Sequence, residues 1–370
     1  MLTHVHSTNR TYPPLRSCGD ATSRGGLHAD AVCGSRGVDR VAIHQQHTRR
    51  SDVGGDGSCR KASRSLRRHL RWRLGVTAAL VLLMAIAAPN AFAQVARVPP
   101  EARTFELGEL KISVLRDSAL VFPNDGAIFG VNAGPTAVAK VLRQAGAWTD
   151  TIRLDVDTLL VRMPKHLVLI DAGSGVAGRS VVQQSLSLVG VSPDDVTDVL
   201  VTHAHPDHVG GLVDTEHRSA FPKATIWMSA KAWAFMHHEA DVRTEIPVIE
   251  AQVKIFEPGH LVLPQITSIP LPGHTPGQVG YEIASRGDKV VDTGDIVHSS
   301  IISLAKPGWT LAWDSNKSEA VMTRRYELQR LAGTHELMFA PHFPFPGVGR
   351  IEADGNGFRF QSARRAAGHR

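Results

Sequence analysis

Apolar positions fall along the chain in two alternating patterns. Lys111–Arg116, Thr151–Val161 and His166–Ile170 predict strands, and the last is a continuous apolar run suited to burial on both faces. Arg179–Val189 predicts a helix stopped by Gly190, followed at Ser192-Pro193-Asp194 by a turn or short capped helix. Val199–Thr202 predicts a short buried strand running into a cluster of histidines. Ser229 is placed to cap a helix reaching His238. Ser315 is placed to cap a longer one through Leu331, closed by Gly333 and buried along Val321, Leu328 and Leu331. Strands recur at Thr267–Leu271, Val279–Ile283, Lys289–Val291 and Leu337–Phe339. Strands, then helix, then strand, in two successive halves, predict sheets covered outside by helices, an α/β sandwich. No linker rich in Pro and Gly divides residues 94–370 and no repeat recurs, so they read as one domain.

One stretch stands outside this alternation. Leu74 to Ala88 is apolar, follows the positive run Arg64, Arg67, Arg68, Arg71 and Arg73, and precedes Pro89 and Ala91-Phe92-Ala93. A charged region, an apolar region and an A-x-A site predict a signal peptide over residues 61–93. Its apolar part is short against the roughly 20 residues of a membrane span, so no stable anchor is expected after cleavage. The expected location is exported, periplasmic or secreted, and Arg67-Arg68 is compatible with either general or twin-arginine export. Residues 1–60, rich in Gly, Ser, Arg and His without hydrophobic period, are read as a disordered extension or a start assigned too far upstream.

Charge sharpens that division. The chain has 370 residues, a net charge of +6 and a pI near 9.4, which would ordinarily point to nucleic acid. Residues 1–93 hold 14 Lys and Arg against 5 Asp and Glu, whereas residues 94–370 hold 27 against 30. The exported part is thus slightly acidic, and no nucleic-acid partner is expected. Cys18, Cys33 and Cys59 all precede residue 94, so disulfides, thiolate metal sites and cysteine nucleophiles are excluded from that part.

The densest chemistry is His203-Ala204-His205-Pro206-Asp207-His208, directly after a predicted strand. Neutral imidazole and carboxylate are the ligands zinc-like ions take when thiolates are absent. Residues two apart on an extended stretch point the same way, so His203 and His205 can share one metal. Asp207 and His208, beyond the bend at Pro206, can face a second. Gly210 and Gly211 follow, where the backbone is expected to turn tightly beneath the site.

This cluster resembles the H-x-H-x-D-H signature of the metallo-β-lactamase superfamily, and further motifs extend the likeness over roughly residues 107–360. They are Asp171-Ala172-Gly173, Gly273-His274-Thr275-Pro276-Gly277, Val291-Asp292-Thr293-Gly294-Asp295 and Phe339-Ala340-Pro341-His342. The resemblance implies an αββα sandwich with a dinuclear metal site at the sheet edge. It implies that His203, His205 and His274 hold one divalent ion, that Asp207, His208 and His342 hold another, and that Asp295 bridges both. Zinc is the expected metal, and iron, manganese or cobalt also suit such donors. Asp292 competes for the bridging role but falls inside a predicted strand. Asp171 would orient the ligand loops from outside.

The ending Pro341-His342-Phe343-Pro344-Phe345-Pro346-Gly347, with Gly294-Asp295-Ile296-Val297-His298 and Asp314-Ser315, is similar to the methyl parathion hydrolase and lactonase branch. Residues 119–146 match that branch loosely, and Gln278 replaces a histidine common in it. The likeness implies an exported hydrolase of small esters, whether lactone, aryl ester or phosphotriester, and a homodimer. A metal-bridging hydroxide would attack the ester, and Asp207 would hold or pass its proton. A bridging Asp295 argues against a true β-lactamase. Two other readings are a glyoxalase II-like thiolester hydrolase, weakened by export, and a non-catalytic metal-binding protein, which would not need so complete a ligand set. His298 is expected near the ligands or substrate. Phe343, Phe345, Trp309 and Trp313 are candidates to line a pocket or simply to pack, while His166, His217, His237, His238 and His260 are read as ordinary surface or core.

Overall fold

The computed structural model describes residues 94–363; the expected extension at 1–60 and signal peptide at 61–93 lie outside the described residues. The first sheet uses β1 (Gln94–Ala96), β2 (Ala102–Leu107), β3 (Leu110–Pro123), β4 (Thr151–Arg162), β5 (Leu167–Ile170), β6 (Asp198–Leu200), β7 (Thr225–Ser229) and β8 (Val253–Phe256). The second uses β9 (Leu261–Leu263), β10 (Ile266–Pro270), β11 (Val279–Ser285), β12 (Asp288–Asp292), β13 (Leu337–Phe339), β14 (Val348–Asp354) and β15 (Gly357–Ser362). Strands run 1-3-4-5-6-7-8 across the first sheet, with β2 also on β3, and 15-14-13-12-11-10-9 across the second. The helices are α1 (Pro135–Gln144), α2 (Val182–Leu188), α3 (Pro206–Val209), α4 (Ala230–Met236), α5 (Ile246–Ile249), α6 (Ile302–Ala305) and α7 (Lys317–Thr334).

Period-two alternation sorts the side chains into layers. Leu159, Val161, Val168 and Ile170 point inward and meet Val279, Tyr281, Ile283 and Val290 of the second sheet. Leu160, Leu167 and Leu169 point outward and are covered by Leu186 of α2 and by Ala232 and Met236 of α4. On the far side, Ile269, Val291 and Met338 are covered by Leu328 and Leu331 of α7. Both faces of each sheet are buried, which is why β5 reads as an unbroken apolar run. The result is the expected αββα sandwich. Among the described residues no helix is long and apolar enough to cross a membrane.

Several elements depart from the sequence reading for local reasons. β3 continues past Arg116 to Pro123 through a register shift against β4 at Asp117. The buried Asp117 carboxylate accepts from Ser174 N (2.9 Å) and Val182 N (3.3 Å), so α2 begins at Val182 rather than Arg179. Asn316, not Ser315, caps α7, accepting from Glu319 N at 3.3 Å. That helix runs through Gly333 and closes on His335 in the left-handed region at φ 54°. Its buried stripe is Ala320, Arg324, Leu328 and Leu331, a charge among apolar neighbours, while Val321 is only half-buried. In the loosely matching segment, α1 packs Val138 and Leu142 on Phe122 and Ile152 as a separate apolar cluster.

Candidate metal centre

Strands β5 and β6 run parallel, as do β12 and β13, and the loops at their C-terminal ends converge on one edge of the sandwich. Asp171 follows β5, His203 to His208 follow β6, Asp295 follows β12 and His342 follows β13. His274 comes from the loop between β10 and β11. Tyr281 pins the two sheets together beneath this edge, its hydroxyl donating to Val201 O at 2.7 Å.

All seven predicted ligands meet there, in two sets that face each other. His203, His205, His274 and Asp295 present one donor atom each within 4.8 Å of one another, as do Asp207, His208 and His342. Asp295 Oδ2 lies 3.5 Å from His203 Nε2 and from His274 Nε2, and 3.1 Å from His342 Nε2; Oδ1 lies 3.4 Å from His208 Nε2. The carboxylate therefore stands between the two sets. Most donors are buried, whereas His205 and Asp207 are half-exposed and mark the side open to solvent.

Outer hydrogen bonds decide which nitrogen each ring turns inward. His208 Nδ1 donates to Asp171 Oδ2 at 2.7 Å, His274 Nδ1 to Asp314 Oδ1 at 3.0 Å, and His342 Nδ1 to Asp155 O at 2.8 Å. His203 Nδ1 lies 3.0 Å from Thr202 Oγ1, whose hydroxyl donates to Asp171 Oδ2 at 2.8 Å. Four Nε2 lone pairs thus point inward at carboxylate oxygens. Lone pairs facing lone pairs repel unless a cation or protons lie between them. His208 Nε2 and Asp295 Oδ1 are buried with no hydrogen-bond partner, which is the mark of donors shaped for something other than each other.

The electrostatics run the same way. Burial, then the neighbouring His208, holds His203 well below the usual imidazole range, and burial beside His274 holds His205 at about 3. Both rings stay neutral, the form that ligates. Burial alone would lower His208, but Asp295, Asp171 and Asp207 outweigh it and raise it well above the ordinary value. Burial alone would raise Asp295, yet His342, His208, His298 and His203 hold it well below the carboxylate range. Asp292, the competing bridge, is not among the converging donors. Its Oδ1 accepts from Gly294 N at 2.9 Å, and burial with the nearby Asp171 charge pushes it up to about 8.

His298 stands beside the ligands, where the sequence reading expected it, while residues that support the centre from outside carried no role in the sequence. His298 is 1% exposed, places Nε2 3.1 Å from Asp295 Oδ2, and stacks on His342 with ring centroids 5.3 Å apart. Asp314, which holds His274, is itself held by Arg324 Nη2 at 3.2 Å. Arg324 also donates to Ile296 O (2.7 Å), Pro307 O (3.3 Å) and Trp309 O (3.0 Å), binding α7 to the loop that carries Asp295. Its only sequence signal is its place three residues after Val321 and four before Leu328, on the apolar stripe of α7. Of the aromatic candidates, Phe343 is core and packs edge-on to Phe360, and Phe345 lies under the Arg116 guanidinium. Trp313 packs between Phe122, Phe129 and His298.

Gly210 and Gly211 serve close approach rather than a tight turn. A Cβ on Gly211 would overlap Ala172 O, and one on Gly210 would overlap Ser174 O, while Gly210 keeps an ordinary helical φ of −59°. The two glycines let the β6 and β5 loops lie backbone to backbone, with Gly211 N donating to Gly173 O at 3.0 Å.

An αββα sandwich with a seven-donor His/Asp cluster at the strand ends defines a class, and comparison with known proteins gives that class its name. Residues 151–336 match the model of the metallo-beta-lactamase superfamily, and the chain belongs to it. Among solved structures it is similar to AidC, a dizinc quorum-quenching lactonase in complex with the product N-hexanoyl-L-homoserine: 26% identity, TM-score 0.68, covering 71% of this chain and 98% of that one. It is also similar to AbOPH, a hydrolase in the beta lactamase superfamily: 25% identity, TM-score 0.65, covering 72% and 99%. A Bacillus sp N-acyl homoserine lactonase is 29% identical over 92 residues, 25% of this chain and 34% of the lactonase, so the chain spans about a third of that relative's length.

Proposed function

We propose that this chain is a dinuclear metallohydrolase of small ester-type bonds, lactone, aryl ester or phosphotriester. The observation that carries the reading is the two facing donor sets with the Asp295 carboxylate between them, grouped with His203, His205 and His274 and 3.1 Å from His342 Nε2 and 3.4 Å from His208 Nε2. His203, His205 and His274 would hold one divalent ion, Asp207, His208 and His342 the other, and Asp295 both, zinc being the ion such donors suit best. Bound there, the ions would supply Lewis acidity toward the ester oxygen and activation of water at neutral pH.

The chain's own groups do the rest. His205 and Asp207 border the open side, so substrate approaches past them. Asp207 Oδ2, 3.4 Å from His342 Nε2, can accept the proton released by the attacking water and hold it for the leaving group. Asp171, Asp314 and the Asp155 carbonyl keep the imidazoles in one tautomer through turnover. The likeness to a dizinc lactonase supports hydrolysis of an ester-type bond, and that to AbOPH supports a hydrolase. Export is part of the same proposal, supported by the arginine run, apolar stretch and Ala91-Phe92-Ala93.

The test is one panel: metal-replete protein with homoserine lactones, aryl esters, methyl parathion-type triesters, a glutathione thiolester and a cephalosporin. Turnover of one of the first three classes is expected. Turnover of the thiolester or the cephalosporin alone, or of nothing, overturns the reading.

A further inference from the structure

Beside α7 lies a cavity of about 430 Å³, walled by the loop after α6, by α7 itself and by the turn from β14 into β15. Lys306 and Arg325 bring two positive charges to its wall, and none of the described residues lining it is acidic. Both side chains are exposed, and neither the ammonium nor the guanidinium has a hydrogen-bond or ion-pair partner among the described residues. Gln329, one turn beyond Arg325 on the same face of α7, and Asn356 add neutral amides. Trp309 and Phe358, both half-buried, add aromatic surface.

The loop turns its acceptors away from these charges. Trp309 N donates to Lys306 O at 2.9 Å, and Asn132 Nδ2 donates to Gly308 O at 3.3 Å. Arg324, buried beside Arg325, takes Pro307 O and Trp309 O at 3.3 and 3.0 Å. All four carbonyls from Lys306 to Trp309 are thus engaged, which also holds the loop in one shape. A Cβ at Gly308 would overlap Arg325 Nη2, so the glycine lets the guanidinium lie against the loop. Two like charges on one wall repel, and an anion placed between them turns that repulsion into attraction. The aromatic surface suits a ligand whose flat apolar body accompanies its charge. We propose that this cavity binds a small aromatic anion, its carboxylate or phosphate head between Lys306 and Arg325 and its ring on the side of Trp309 and Phe358. None of the seven metal-site donors lines the cavity, so the inference stands apart from the hydrolase reading.

Isothermal titration calorimetry of metal-replete protein with phenyl phosphate and with benzoate tests it. Inorganic phosphate, acetate, benzyl alcohol and benzylamine are the comparisons. Ions at the metal centre also attract anions, so variants distinguish the two places. Arg325→Gln and Lys306→Gln should each weaken binding of the preferred aryl anion about tenfold. Lys223→Gln, at an exposed lysine before β7, should change it about twofold or less. Removing the ring, as in inorganic phosphate or acetate, should cost about tenfold. Trp309→Phe should bind nearly as well but lose most of the tryptophan fluorescence change. Lys306 and Arg325 are exposed, so their variants do not threaten folding. The tighter of the two aryl anions assigns the head as phosphate or carboxylate. No binding of either by the wild type, or wild-type affinity in both charge variants, overturns the site. Benzyl alcohol or benzylamine binding as tightly as the aryl anions overturns its preference for negative charge, and ring-free anions binding equally well overturns its preference for a ring.

Discussion

Replacing Arg324 with methionine removes the largest fully buried side chain's charge while keeping most of its apolar stem. Four acceptors lose their donor at once: the carbonyls of Ile296, Pro307 and Trp309, and Asp314 Oδ2. Breaking a buried ion pair from one side costs about 3–5 kcal/mol, because the other charge stays buried without compensation. Asp314 is 2% exposed and keeps only His274. For a domain of this size each kcal/mol lowers Tm by about 2–4 °C, so a loss of about 6–20 °C is expected. Thermal and urea unfolding of metal-replete protein give the figure. Chelator competition gives a second, since losing the group that fixes a ligand's partner weakens metal binding by about 10- to 100-fold. In a double-mutant cycle, Asp314→Asn with Arg324→Met should cost less than the two single losses added together. A Tm drop of only 1–2 °C with unchanged metal affinity would refute the relay from α7 through Asp314 to His274.

Three further outcomes follow from the geometry. Asp171→Asn should weaken metal binding about 10- to 100-fold, read by chelator competition, because Asp171 orients His208 and Thr202 together. Gly211→Ala should leave little soluble folded protein, since its methyl group would meet Ala172 O; expression at wild-type yield would contradict that close approach. Asp157 is 2% exposed with both carboxylate oxygens unpartnered, and burial, then the Asp155 charge, raises its pKa well above 3.8. A raised carboxyl binds more protons folded than unfolded, so stability falls as pH climbs from the unfolded pKa toward the folded one. Asp157→Asn should therefore gain on the wild type in urea midpoint as pH rises from 4, and a gap independent of pH would contradict the assignment.

Most of the centre could be read from the sequence because its donors sit in short local patterns. His203 to His208 declare themselves by spacing, and Gly273-His274 and Gly294-Asp295 by their family context. The supporting residues could not be read this way. Asp314 reaches His274 across 40 residues, and the Asp155 carbonyl reaches His342 across 187, through contacts only the packed sheets create. Arg324 acquires its role only when α7 folds against Ile296 O. The strand core was legible from its apolar runs. The α1 segment was not, since Gly134, which precedes the helix at φ 84°, and Pro135 make its start resemble a turn. The two glycines were noticed for the wrong reason, because a turn and a backbone-to-backbone contact leave the same letters.

The central claim is that seven side chains form one centre for two ions divided by Asp295. Metal content of purified protein, measured by mass spectrometry after dialysis against metal-free buffer and alongside ester turnover, tests it most directly. Two ions per chain are expected in the wild type and one or none in Asp295→Ala, with turnover falling in step. A wild type that holds no metal yet keeps its turnover, or an Asp295→Ala variant that keeps two ions at wild-type affinity, would contradict it.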